Sequence, residues 1–76
     1  MTPEMAKEIL RTKTRRDWVR RDESVIELVS KIKSGNWIPD QDPIAIGSIV
    51  RSGHHRLTAI AEAGIPVEVL IWDTFD

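Results

Sequence analysis

The chain has 76 residues at a formal net charge of −1, with 41% hydrophobic and 30% charged residues, the composition of a folded globular chain rather than a disordered one. At this length a single domain spanning residues 1–76 is expected, near the size at which one core only just suffices, so a ligand, a partner or a second copy in a homodimer is an expected source of stability. Cys is absent, which excludes disulfides, thiolate catalysis and Cys-based zinc sites; no apolar run approaches the ~18 residues of a membrane span and no secretory pattern opens the sequence, so a cytoplasmic protein without a membrane partner is expected.

Thr2-Pro3-Glu4 is a helix start: Thr2 caps, Pro3 fits the first turn and Glu4 suits the dipole. The spacing of Met5, Ala6, Ile9 and Leu10 predicts a helix over residues 3–12 with one apolar face. Residues 12–21 show no period and read as a basic loop. Within 11–21, Arg11, Lys13, Arg15, Arg16, Arg20 and Arg21 oppose Asp17 alone, six charges against one, whereas no Lys or Arg follows Arg56. Two readings of this arm stand side by side. It is a solvated connector, or it is a phosphate-contacting surface on which Arg15, Arg16, Arg20 and Arg21 meet a nucleic-acid backbone. Trp18 is then either a core staple or a base-stacking platform.

Val25, Leu28, Val29 and Ile32 repeat at helical spacing and predict a core-facing helix over residues 23–34, begun at Asp22 or Ser24. Ser24 with Glu27 fits a capping box, Glu27 and Lys31 pair across a turn, and Gly35 is a left-handed stop. Residues 36–43 are a turn-rich link in which Trp37 plugs the core. Asp40 and Asp42 read as turn formers rather than a metal pair, so no metal site is expected. Ile44–Ile46 and Ile49–Arg51 around Gly47-Ser48 predict a hairpin with a two-residue turn. A helix begins within the following box and runs to Ala63. Leu57, Ile60, Ala61 and Gly64 share one face, and the many Ala residues suit close packing on a sheet. Gly64 and Pro66 end it. Val67–Trp72 predicts a buried last strand, and Thr74-Phe75-Asp76 is expected to fray.

The stretch that carries chemistry is Ser52-Gly53-His54-His55-Arg56-Leu57. A strand-to-helix turn with Gly at the bend leaves backbone N–H groups unpaired at the positive end of the helix dipole, a place suited to phosphate. Two imidazoles and a guanidinium, which forks onto phosphate oxygens, follow directly. The alternative is a Gly needed only for the turn and an Arg56 on the surface. Catalysis is not expected. His54 and His55 titrate in the right range, but neighbours at a helix start point in different directions, so at most one faces a ligand. Paired carboxylates and a Ser-His-Asp set are absent.

Taken together, Thr12-Lys13-Thr14-Arg15-Arg16, Gly35-Asn36-Trp37, Asp42-Pro43-Ile44, Ser52–Ile60 and Ala63-Gly64-Ile65-Pro66-Val67 make the chain similar to the ParB/sulfiredoxin superfamily. It resembles most the small ParB-like domains of phages and mobile elements. The resemblance implies an α+β fold: about three helices on a short mixed sheet, with a hairpin leading into the Gly-His-His-Arg helix start. It implies nucleotide phosphates, of ATP or CTP with Mg²⁺, bound at Gly53, His54, His55 and Arg56, with Ser52 beside them and Arg16 facing the same pocket. Were the chain an enzyme, the resemblance implies a slow nucleotide hydrolase or a nuclease. Three departures bear on this. No Cys stands in the box, which excludes sulfiredoxin chemistry. No helix-turn-helix follows within 76 residues. Ser52 replaces the Asp or Asn common in small relatives. A third reading follows from the last departure: a protein-interaction regulator that keeps the fold around a degenerate site.

Overall fold

The computed structural model describes residues 1–39 and 43–73. The turn reading of Asp40 and Asp42 and the fraying of residues 74–76 lie outside the described residues. Three helices and three strands follow one another as α1 (Pro3–Lys13), α2 (Asp22–Ser34), β1 (Ile44–Ile46), β2 (Val50–Ser52), α3 (His54–Ala63) and β3 (Ile71–Asp73). The fold is α+β with a mixed sheet in the order β2-β1-β3. β1 and β2 are antiparallel, pairing Ala45 with Ser52 and Ile46 with Val50 across an irregular register. β1 and β3 are parallel, pairing Ile44 with Ile71 and Ala45 with Trp72.

α1 opens as its sequence dictates: the Thr2 hydroxyl accepts from the Met5 N–H and Pro3 occupies the first turn. Its inner face is narrower than the apolar spacing implies. Ala6 is fully buried, Ile9 and Leu10 are half-buried, and Met5 is 53% exposed. α2 starts at Asp22, and no side chain caps it, so the Ser24–Glu27 capping box does not form. The reason is local. Val25 donates to the Arg21 carbonyl, which places the first helical turn ahead of Ser24, while Asp22 and Glu23 sit at the positive end of the dipole. Gly35 closes α2 in the left-handed region at φ 79°, with its N–H on Ile32.

Two strand expectations are corrected. The hairpin connection is three residues, 47–49, and β2 runs Val50–Ser52 rather than Ile49–Arg51. Gly47 does not take a positive φ, so no primed two-residue turn forms; its N–H donates to the Ile49 carbonyl instead. The last strand begins at Ile71 rather than Val67, and its described residues, Ile71–Asp73, are exposed, with Trp72 58% accessible. It starts late because Val67 is bonded to the chain start, donating to the Met1 carbonyl at 3.0 Å. Ile44 then draws in the Leu70 carbonyl at 2.9 Å to open the parallel ladder.

The core is one cluster of Ala6, Ile32, Ile44, Val50, Leu57, Ala59 and Ile60. α3 contributes four consecutive buried residues, Leu57 to Ile60, and is therefore enclosed on most sides rather than on one stripe. α1 and α2 both pack against it, so its Ala residues admit helices as well as the sheet. The junction into α3 is set by Gly53. Its φ is +100°, and a Cβ there would lie 2.9 Å from Ile44 Cγ1 and 3.2 Å from Ile44 Cα. Gly64 also has a positive φ of 71° but faces open space. Gly53→Ala therefore combines left-handed strain with a clash against a buried strand, an expected loss of about 2–4 kcal/mol. Gly64→Ala carries the strain alone, about 1 kcal/mol. Urea unfolding of the two variants side by side checks the difference; equal losses would mean that Ile44 yields freely.

Candidate functional site

The box and the basic loop form one structure. His54 and His55 open α3, and both rings turn to residues 14–21. His54 Nε2 accepts the Arg15 N–H at 3.2 Å, and His55 Nε2 accepts the Arg21 N–H at 3.0 Å. Trp18 lies between these two points. Its ring stacks on His54 with centroids 5.0 Å apart and an interplanar angle of 17°, and meets His55 edge-on at 5.2 Å. Neighbouring imidazoles were expected to diverge, with one at most facing a ligand. They converge because the loop arcs: amides six residues apart reach two adjacent rings. Each ring uses a lone pair on Nε2, so each is neutral with its proton on Nδ1.

His54 is 7% exposed. Its pKa is held below the ordinary imidazole value, first by burial and then by the nearby Arg15 and His55 charges, with Asp17 acting in the opposite sense. Thr58 donates to the His54 carbonyl at 2.8 Å, tying this turn of the helix together.

Most of the arm's charge is already engaged. Arg11 pairs with Glu8 one turn earlier. Lys13 Nζ donates to the Gly47 carbonyl at 3.0 Å, joining the end of α1 to the hairpin connection. Arg15 meets Asp17 at 3.3 Å. Arg20 bridges Asp22 at 2.7 Å and the Glu62 carboxylate at 3.0 Å, and these two acids keep its guanidinium more strongly protonated than usual. The Arg20–Glu62 pair was not anticipated, although Glu62 is the lone acid on α3 and the arm is the lone basic run, a complementarity visible in the residue list. Arg16 and Arg21 are exposed, and their guanidinium groups make no ion pair among the described residues.

Arg56 goes elsewhere. At 3.6 residues per turn it lies about 200° around the helix from His54, and its guanidinium carbon sits 4.7 Å from the centre of the Trp37 ring. Trp37 is half-buried against the core, as expected of a plug, and its indole N–H donates to the Glu68 carbonyl at 2.8 Å. Ser52 is the exposed last residue of β2. The six residues of the predicted phosphate site thus divide. His54 and His55 face the loop, Arg56 faces Trp37, Gly53 packs on Ile44, Ser52 ends a strand, and Arg16 is exposed at the turn of the loop. Depressions in the surface lie both away from the box and beside it. One of about 660 Å³ is lined by Met1, Pro39, Glu68, Val69 and Leu70, and another of about 450 Å³ by Arg21, Asp22 and Glu23, where the basic loop enters α2.

What the arrangement offers chemically is a helix N-terminus with no side-chain cap and no acid in its first turn, roofed by a loop of arginines. Among the described residues, no group of three or more His, Cys, Asp or Glu gathers to hold a metal, and no helix is long and apolar enough to cross a membrane. Comparison of the chain with protein-family models, with curated proteins and with solved structures finds no match.

The depressed pKa of His54 fixes a sign. Its neutral form is favoured in the folded state, so its contribution is fully present above about 6.5, the ordinary unfolded value. As pH falls below that value the unfolded chain binds the proton first, and the contribution is lost down to the folded pKa. Unfolding midpoints in urea should therefore fall between about pH 7.5 and pH 5.5, and His54→Gln should flatten that part of the profile. An unchanged slope in the variant would place the pH dependence on other groups.

Proposed function

We propose that this chain is a small ParB-like phosphate-recognition module, in which the N-terminus of α3 and the arginine loop above it present one anion-binding face to the phosphates of a nucleotide such as ATP or CTP, with Mg²⁺ accompanying it. One observation carries this reading: the Arg15 and Arg21 amides are seated on His54 and His55, which brings the basic arm onto the helix start. Two sequence features that each stand weakly alone become one surface. The resemblance of the Ser52–Ile60 and Ala63–Val67 blocks to the ParB/sulfiredoxin superfamily supports the same placement. His54 and His55 act as scaffold, because each already spends its Nε2 on the loop. The anion contacts fall to the backbone N–H groups of the first turn of α3 and to Arg16 and Arg21, while Arg56 is turned onto Trp37.

Arg16 and Arg21, exposed and without an ion pair among the described residues, favour a second reading, contact with a nucleic-acid backbone, because such a chain presents its phosphates on an open surface. Thermal unfolding with ATP and with CTP, each with Mg²⁺, tests the first. Ligand at ~100 times its dissociation constant stabilises by about 2.7 kcal/mol, which shifts the midpoint of a domain this small by roughly 10–20 °C. The Arg16→Gln/Arg21→Gln variant should lose most of that shift, and Arg56→Ala, whose side chain lies on Trp37, should keep it. No shift with either nucleotide, or an equal shift in Arg16→Gln/Arg21→Gln, would reject the nucleotide reading. An oligonucleotide bound instead, with a salt dependence that falls by about two when both arginines are replaced, would establish the second.

A further inference from the structure

We propose that His54 and His55 form a two-point clasp that lets go of the arginine loop when the rings take up protons. The clasp exists whether or not the face binds phosphate, so it stands independently of the reading above. Each ring holds the loop as an acceptor: His54 Nε2 takes the Arg15 N–H at 3.2 Å and His55 Nε2 takes the Arg21 N–H at 3.0 Å. A protonated imidazole has two N–H donors and no acceptor. Protonation at Nε2 therefore sets an N–H against an N–H at both attachment points, and the same event places positive charge beneath a loop rich in arginine. Trp18 couples the two points, since its ring touches both imidazoles.

For His54 the surrounding charges act mainly in one direction. Around His54 stand Arg15 and Asp17 from the loop and His55 from α3, and Asp17, the one group that favours the charged ring, is itself paired with Arg15. His55 adjoins His54 on α3 and takes the Arg21 N–H from the loop, the residue that precedes the acids Asp22 and Glu23 at the start of α2. Asp22 is bound to Arg20, as is Glu62 farther along α3. From α1, Lys13 reaches away to the Gly47 carbonyl. A carboxylate that would hold either protonated ring in place is absent from the ion pairs of the described residues. The loop's Arg20–Glu62 pair is exposed and does not replace two lost hydrogen bonds and a ring stack.

The test is a titration of ¹⁵N-labelled full chain by nuclear magnetic resonance from about pH 8 to about pH 5, across the ordinary imidazole value of about 6.5. The imidazole Cε1–H signals report protonation, and the amides of Arg15, Arg21, Leu57 and Ile60 report loop and core. The expected result is a joint transition of the Arg15, Trp18 and Arg21 signals, tracking the rings, while Leu57 and Ile60 stay in place. Exchange protection of the Arg15 amide should fall by up to about tenfold per pH unit for each proton taken up. The His54→Gln/His55→Gln variant, whose side-chain oxygens accept but do not titrate, should show no such transition. Rings that titrate while the Arg15 and Arg21 amides keep their positions and protection would overturn the clasp. So would a loop transition of the same size in the Gln variant, or loss of Leu57 and Ile60 in the same step, which would be global unfolding. Should the Gln variant not fold, the wild-type comparison of rings, loop and core decides alone.

Discussion

The contact on which the molecule turns is the seat of Gly53 against Ile44. Ile44 is almost wholly buried and belongs to the central strand, which bonds β2 on one side and β3 on the other. Gly53 is where the chain leaves β2 and enters α3, and it passes Ile44 so closely that no side chain fits between them. A left-handed residue at that point sends the helix back over the sheet, and the direction of α3 then fixes where α1 and α2 dock. The glycine of a phosphate-type turn is thus first of all a packing requirement. It also places the start of the helix where the loop of residues 14–21 can close over it.

The second organising device is electrostatic in appearance and geometric in effect. Exposed ion pairs add little to stability. The bonds that hold residues 14–21 on α3 are backbone amides on neutral imidazoles, with an indole packed between them. Arg20, pinned by acids from α2 and α3, adds direction more than strength. The result is that Arg16 and Arg21 are carried outward on a loop whose backbone has a defined position. Flexible lysines on an unattached tail would make the same net charge and a far less ordered surface.

How much of this was legible in the residues can be judged position by position. The helices read well, because Val25, Leu28 and Ile32, and likewise Leu57 and Ile60, keep a 3.6-residue spacing that only burial explains. The stops at Gly35 and Gly64 read for the same local reason, a left-handed residue where the periodicity ends. The strands read less well. Val67–Trp72 has the composition of an interior strand, yet Val67 spends its N–H on Met1, a partner 66 positions away that no window of sequence contains. The capping box failed because Arg21 was already drawn into α2 and onto His55. The site was half legible. The box and the basic arm each stood out by composition, but their union depends on an arc of loop that lets two amides find two adjacent rings. Likewise, nothing local to Arg56 announces Trp37 as its neighbour.

β3 has a consequence for how the chain assembles. It is parallel to β1, so it cannot join the sheet by a tight turn and must wait for the crossover that contains α3. The hairpin of β1 and β2 and the start of α3 are adjacent in sequence and close with little loss of chain entropy, whereas the β1–β3 ladder closes a far longer loop. Loop-closure entropy therefore favours pairing of the hairpin before β3 joins it. The charged residue of β3 is protective in that interval. Asp73 places a carboxylate on this edge strand, a charge that opposes pairing with a second unfolded chain.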